Sequence, residues 1–338
     1  MELPIFQGPM AGAQGSALAI AVCNAGGLGA LPCAMLDPAA MRRELAAMRA
    51  GTAGPYAVNF FSHAPPTPDA ERERRWRELL APYYVELGLD PGQVVASPAR
   101  VPFGEEAADV LDEFEPRVVS FHFGLPSQHL LARVERWDAT VLATATTVDE
   151  ARWLEARGVD AIVAQGIEAG GHRGHFLSDD LMLQPTTRDL VSQIVGAVKV
   201  PVIAAGGIAE AAEVTAVLAL GASAAMVGTA YLLCPEATTS AVHRAALAGD
   251  AAGRVTALTN LFSGRPARGI VNRLMRELGP MSDAAPAFPL AAAAVAPLRA
   301  AAERGGRGDF SPLWAGESDV RLREVPAAEL TRALASAI

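Results

Sequence analysis

Cysteine is scarce in this chain of 338 residues, and its three thiols exclude more than they suggest. Cys23, Cys33 and Cys234 stand in apolar surroundings with no CxxC spacing and an odd count, so neither a disulfide framework nor a zinc site is expected. They read as buried free thiols of a reducing compartment. The chain does not open with a basic segment followed by an apolar one, so no secretory signal is expected. The longest apolar stretch near its other end, Pro289 to Leu298, contains Pro297 and is far short of the ~20 residues of a membrane span. Lys and Arg are scattered and the formal charge is −9, which argues against a nucleic-acid partner. A GxGxxG after the first apolar run is also missing, which disfavours a doubly wound dinucleotide-binding sheet. These absences leave a soluble, cytoplasmic protein with a small-molecule partner, as monomer or homodimer.

Apolar residues are plentiful, at 51% against 19% charged, enough for a large core. They fall into eight short runs: Pro4 to Met10, Leu28 to Cys33, Tyr56 to Phe61, Val118 to Phe123, Val141 to Ala145, Ala161 to Gln165, Pro201 to Ala205 and Ala224 to Val227. Each run ends in Gly or a small polar residue and is followed by a stretch of helical character. That alternation is the mark of βα units, and eight of them over ~230 residues match an α/β fold of the (β/α)8 TIM-barrel type. Val94 to Ala96 reads as an extra short strand. The charged helix from about Pro68 to Leu87 reads as a solvated face. After Thr229 the pattern changes: residues 236–299 read as helices broken by glycine-rich turns, with no strand alternation. The expected organisation is a barrel over residues 1–235, a helical subdomain over its mouth at 236–299, and a segment at 300–338 that returns to the barrel.

In such a barrel the chemistry lies just after the strands. Two of these turns, Gly206-Gly207 and Gly228-Thr229, follow the seventh and eighth runs, where backbone N–H groups commonly hold a phosphate. Asn59 and Gln165 are amides at strand ends, suited either to the edge of a heteroaromatic ring or to a satisfied barrel-mouth position. His122, within Ser120-Phe121-His122-Phe123-Gly124, reads either as a residue lining the barrel mouth or as a structural one. His63, His129 and His243 show no partner signal. His172 stands out because glycines crowd it on both sides in Gln165-Gly166-Ile167-Glu168-Ala169-Gly170-Gly171-His172-Arg173-Gly174. Glycine lets backbone approach a ligand, and an imidazole titrates near pH 6.5, close to neutrality.

Taken with Pro4-Ile5-Phe6-Gln7-Gly8-Pro9-Met10-Ala11-Gly12, Gly26-Gly27-Leu28-Gly29, Ala57-Val58-Asn59-Phe60-Phe61, Ala204-Ala205-Gly206-Gly207-Ile208 and Phe262-Ser263-Gly264-Arg265, these motifs run in order along nearly the whole chain. In them the chain resembles the nitronate monooxygenases, flavin enzymes formerly called 2-nitropropane dioxygenases. The resemblance implies FMN at the barrel mouth, in contact with Met10, Ala11, Gly12, Asn59, Gln165, Gly170, Gly171, Gly206, Gly207, Met226, Val227, Gly228 and Thr229. It implies that His172 is the catalytic histidine and that His122 lines the substrate pocket, with no metal. The implied reaction oxidises an alkyl nitronate, or a nitroalkane, with O2 to a carbonyl compound and nitrite. One departure is Glu317, where members often carry Gln, which bears on the polarity of the pocket rim. The alternative on the same scaffold is an FMN-dependent NAD(P)H reductase, acting on an enoyl-acyl-carrier-protein or a quinone. A flavin-free phosphosugar barrel is a more distant one.

Overall fold

Eight short parallel strands form one sheet: β1 (Ile5–Gln7), β2 (Ala30–Pro32), β3 (Ala57–Phe61), β4 (Val118–His122), β5 (Thr140–Ala145), β6 (Ala161–Gln165), β8 (Val202–Ala205) and β9 (Ala224–Val227). Each lies in one of the eight apolar runs of the sequence. The coordinates are a computed structural model that describes residues 1–92, 100–249 and 254–338; the strand expected at Val94 to Ala96 lies outside the described residues. The sheet order is β1-β9-β8-β6-β5-β4-β3-β2, so β1 and β2 would be its two edges. They do not stay open. Leu28 N donates to Ile5 O and Gln7 N donates to Leu28 O, both at 2.9 Å, and the Gln7 side chain accepts from Ala30 N at 3.1 Å. A main-chain bridge and one buried amide therefore close the barrel, leaving no free sheet edge.

Strand periodicity decides which residues face the mouth. Side chains alternate across a strand, so one residue identifies the facing of the rest. Phe6, Ala57, Val118, Leu142, Ala161, Val163, Ile203, Ala205 and Ala224 pack together in the barrel interior. The same parity turns Asn59, Ser120, His122, Thr144, Gln165 and Met226 inward, each near the C-terminal end of its strand. Val58, Phe60, Val119, Phe121, Ile162, Ala164 and Val227 point the other way, into the larger core between strands and helices.

Helices alternate with the strands, and β9 is followed by a short 3-10 turn, Thr229–Leu233, and then by the helix Ala241–Ala248, which packs on that turn. The final helix, Ala327–Leu334, packs against the helix Ser16–Asn24, and Tyr231 Oη meets Thr331 Oγ1 at 2.9 Å. No helix among the described residues is long and apolar enough to cross a membrane.

A second apolar core lies apart from the barrel. It joins Leu261, Phe262, Leu274, Met275, Leu298 and Phe310 to Trp76, Leu80, Tyr83 and Tyr84 of the helix Ala70–Glu86, which packs on the helix Ala291–Arg304. Trp76 Nε1 donates to Ala291 O at 3.3 Å and Tyr84 Oη to Ala294 O at 2.7 Å. The charged helix after β3 is thus solvated on one face only, and its aromatic face belongs to the cap. The expectation that the stretch after residue 236 is free of strands is corrected by the structure. β10 (Thr256–Thr259) and β11 (Ala267–Ile270) pair antiparallel, and β11 also pairs with β7 (Gly171–His172), Ala267 opposite His172. These strands are made by a local antiparallel pairing, which β11 extends to the distant β7, and not by an alternating pattern.

Gly29 shows how tightly the closure is built. A Cβ there would penetrate the main chain of Ala19 on the neighbouring helix, whereas a Cβ on Gly54 would meet nothing nearer than 3.5 Å. Gly29→Ala is expected to lower the urea unfolding free energy by about 3 kcal/mol or more, and Gly54→Ala to change it by less than about 0.5 kcal/mol.

Candidate active site

The mouth of the barrel opens into a cavity of about 270 Å³, close to the lower end of small-molecule pockets at ~300 Å³. Its lining includes Met10, Ala11, Gly12, Asn59, His122, Gln165, Gly170, Gly171, His172, Gly206, Gly207, Met226, Gly228 and Thr229. Val227 is the one expected site residue that does not reach it: its side chain is in the outer core, and its carbonyl accepts from Gly8 N at 2.8 Å. Cap residues Trp314, Gly316 and Glu317 complete the enclosure.

The wall made by the β8 and β9 turns is largely backbone. Gly206 and Gly207 have φ of +121° and +67°, conformations that L side chains rarely adopt, so these positions are restricted to glycine by geometry. Gly170 is needed for a different reason, since a Cβ on it would collide with the main chain of Ala315 and Gly316. The tail crosses here: Gly316 N donates to Thr229 Oγ1 at 2.9 Å and Glu317 N to Glu168 O at 2.8 Å. Glu317 is exposed and forms an ion pair with Arg268 at 3.1 Å, so it caps a guanidinium at the rim. The half-buried glycine turns at Gly206-Gly207 and Gly228 beside Thr229 would suit the phosphate end of a mononucleotide, and Val163, Ala205 and Met226 in the cavity lining a flat apolar ring. Among the described residues no three His, Cys, Asp or Glu side chains gather into a metal-binding set.

The loop carrying His172, which follows β6 next to the β8 turn, is held from several directions. Its carbonyl accepts from Gln165 Nε2 at 3.0 Å and from His122 Nε2 at 3.1 Å. Since a carbonyl only accepts, His122 must carry its proton on Nε2, and its Nδ1 accepts from Thr144 Oγ1 at 3.0 Å. Burial, with Arg265, Arg173 and His175 nearby, pushes the His122 pKa down to about 3 despite the bond to His172 O, so the ring stays neutral. Gln165 Oε1 accepts from Gly174 N at 2.8 Å. Both ends of the Gln165 amide thus fasten the loop, and Asn59 Nδ2 likewise donates to Ser120 Oγ at 2.8 Å. The carboxylate of Glu150, buried beneath, accepts from Thr146 N, Thr146 Oγ1 and Phe176 N at 2.6–2.8 Å.

The His172 ring stands among aromatic rings, with centroids at 6.2 Å from Phe61, 6.1 Å from Phe123, 5.3 Å from Phe288 and 5.4 Å from Trp314. Its Nε2 lies 2.8 Å from Ser263 Oγ. Burial, then the charge of Arg100, holds its pKa well below the ordinary value. His63, unremarkable in the sequence, belongs to the same aromatic set, 4.8 Å from the Phe288 ring, and His243 lines the cavity. His129 stays at the surface beside Glu105. Ser263, Thr144, Glu150 and Phe288 were not singled out either. Only the Phe-Ser-Gly-Arg motif held a signal for one of them.

Comparison with known proteins places this geometry in context. The sequence profile described as "Nitronate monooxygenase" matches residues 1–336. A nitronate monooxygenase of Paraburkholderia phytofirmans is 42% identical, covering 99% of this chain and 92% of that protein. One from Pseudomonas aeruginosa is 41% identical over 99% and 95%. The crystal structure of a nitroalkane oxidase from Streptomyces ansochromogenes superposes with a TM-score of 0.89 at 39% identity, covering 99% of this chain and 95% of that one.

Two outcomes follow from the hydrogen bonding and burial. Gln165→Met removes both loop fasteners, and the Gly174 amide is expected to exchange with deuterium about tenfold or more faster than in the parent, at ~1.4 kcal/mol lost. Burial, the leading cause in each case, lowers the pKa of His63, His175 and His243 to about 4 and of His122 to about 3. Between those values and about 6.5 the unfolded chain binds protons that the folded one does not. Stability therefore falls as pH drops below about 6.5, by up to about 1.4 kcal/mol per pH unit for each such histidine, which urea titrations at pH 7 and pH 5 would measure.

Proposed function

The chain belongs to the nitronate monooxygenase family, and on that premise we propose that it oxidises alkyl nitronates with O2 to carbonyl compounds and nitrite, with FMN as its cofactor. The observation that carries this reading is the placement of His172. A neutral imidazole, held by its carbonyl and by its ring, lines a largely apolar cavity that glycine turns also line. FMN, when bound, supplies the electron-accepting ring.

The protein's own groups do the rest. The turns at Gly206-Gly207 and Gly228-Thr229 would receive the phosphate on backbone N–H groups, and the Met10-Ala11-Gly12 backbone would lie along the ring. Phe61 and Trp314, which line the cavity, offer the substrate an apolar surface suited to a short alkyl chain, while Phe123 and Phe288 pack around the His172 ring. Arg100 lines the same cavity and supports an anionic ligand such as a nitronate. His172 Nε2 is occupied by Ser263, so the nitrogen left for the substrate is Nδ1. There it either donates a hydrogen bond to a nitronate oxygen or accepts the α-proton of a neutral nitroalkane.

The test is to load the full-length protein with FMN and follow O2 uptake and nitrite on addition of a nitronate, without any nicotinamide. Turnover is expected. An enzyme that is reduced by NADPH or NADH and ignores nitronates would overturn the reading in favour of a reductase. His172→Asn is expected to keep the flavin absorbance and to lose about 100-fold or more in rate on a neutral nitroalkane. Full activity in that variant would remove His172 from the chemistry.

A further inference from the structure

Ser263 contacts the same imidazole from the side away from the cavity, and its environment decides what that contact does. The residue is 1% exposed and sits in the turn between β10 and β11. That turn is locked by Asn260. Gly264 N donates to Asn260 O at 2.8 Å, and the Asn260 side chain exchanges two hydrogen bonds of 2.9 Å with the main chain of Ser282. The hydroxyl is therefore held in place by backbone, and it lies 2.8 Å from His172 Nε2.

A serine hydroxyl has one proton to give. Two acceptors are near it: His172 Nε2 at 2.8 Å and Arg265 O at 3.4 Å. The first is a good hydrogen-bond length and the second is a poor one. The Arg265 N–H is directed at Oγ from 3.5 Å, which occupies the lone-pair side of the hydroxyl rather than competing for its proton. Nε2 is then an acceptor, and a neutral ring whose Nε2 accepts carries its hydrogen on Nδ1. The tautomer of a histidine is set by the partner of its other nitrogen, as at metal and catalytic sites generally. The rings of Phe61, Phe123, Phe288 and Trp314 crowd the imidazole at centroid distances of 5.3–6.2 Å, and the fastened backbone holds its Cα in place.

We propose that Ser263 is a positioning residue that holds His172 as its Nδ1–H tautomer, so that the substrate meets an N–H donor and not a lone pair. An N–H donor suits the negatively charged oxygen of a nitronate. Removal of a proton from a neutral nitroalkane needs the other tautomer, which is reached only when the Ser263 hydroxyl swings to the more distant Arg265 carbonyl. The charged and titratable groups nearest the ring among the described residues, Arg100, Arg265, His63 and His122, are positive or neutral and disfavour an imidazolium. The kinetic part of this proposal rests on the nitronate reading above, whereas the tautomer itself does not.

The experiment is nitrogen NMR of the flavin-loaded, full-length protein labelled with ¹⁵N in its histidine rings, with His172→Asn assigning the signals. The parent is expected to show a pyridine-type Nε2 and a pyrrole-type Nδ1 for His172, and Ser263→Thr, which keeps the hydroxyl, the same pattern. Ser263→Ala is expected to shift the ring towards the Nε2–H form. In parallel, Ser263→Ala is expected to lose about tenfold in kcat/KM on a nitronate. Its rate on the neutral nitroalkane relative to the nitronate should rise, and Ser263→Thr should restore most of the loss across the pH profile. A parent spectrum with the proton on Nε2 overturns the proposal, as does Ser263→Ala with the parent's tautomer and substrate ratio. If Ser263→Ala does not fold, the spectra of the parent and the threonine variant decide alone. The proposed tautomer in a protein that oxidises no nitronate would sink the function and leave the positioning role intact.

Discussion

The site depends on a guanidinium that never sees water. Arg173, the residue after the candidate catalytic histidine, is 0% exposed. Its nitrogens reach Gln184 Oε1 at 2.8 Å, Gly166 O at 2.7 Å and Gln165 O at 2.9 Å. Burying a cation costs several kcal/mol unless its donors are met, and here two of the three acceptors are main-chain carbonyls just past β6. Burial, aided by Arg268, lowers its pKa to about 9, which still leaves it charged at neutral pH. Because the loop must place a charge inward, it cannot relax outward, and the adjacent ring of His172 is presented to the cavity as a result. Arg265 continues the clamp, bonding the His175 carbonyl and stacking 4.2 Å over Phe123.

The barrel and its cap share one piece of backbone. β7 is two residues long and would not be stable alone, yet its pairing with β11 makes it a strand of the cap sheet while its neighbours belong to the barrel. The tail adds to this seam, with Ile270 N donating to Leu313 O at 2.8 Å and Gly269 bridging Trp314. The cavity is therefore a joint product. The barrel contributes the glycine wall and the inward amides, and the cap contributes the aromatic enclosure and the hydroxyl behind the imidazole.

Much of the barrel was legible because local rules agreed with the global one: apolar runs, glycine stops and helical intervals repeat until eight strands are counted. Inward positions such as Asn59, in the middle of β3, and Gln165, at the end of β6, were legible too, as single amides within apolar runs. What they bond to was not. Gln165 appeared suited to a ring edge, and the structure fastens both of its polar atoms to the loop backbone seven and nine residues on. Val227 came with Met226, Gly228 and Thr229 as one stretch that the family resemblance implied, although alternation turns its side chain outward. β11 was hidden because Ala-Arg-Gly-Ile carries no alternation, its place being fixed by main-chain pairing with β10 on one side and with β7 on the other. The helix Ala70–Glu86 held an unused signal. Its charges drew attention, but Trp76, Leu80, Tyr83 and Tyr84 recur at i, i+4, i+7 and i+8, the spacing of a buried stripe.

That stripe has a consequence for the order in which the molecule is made. A chain leaves the ribosome from its N-terminus, and the barrel has all its strands once Val227 has emerged. The residues that cover Trp76, Leu80, Tyr83 and Tyr84 come only between Leu261 and Phe310. For the whole of that interval a nascent barrel displays an uncovered aromatic helix face beside a half-built chamber. The segment that finally conceals it also delivers Ser263 to the histidine, so protection from aggregation and completion of the site arrive in the same stroke of synthesis.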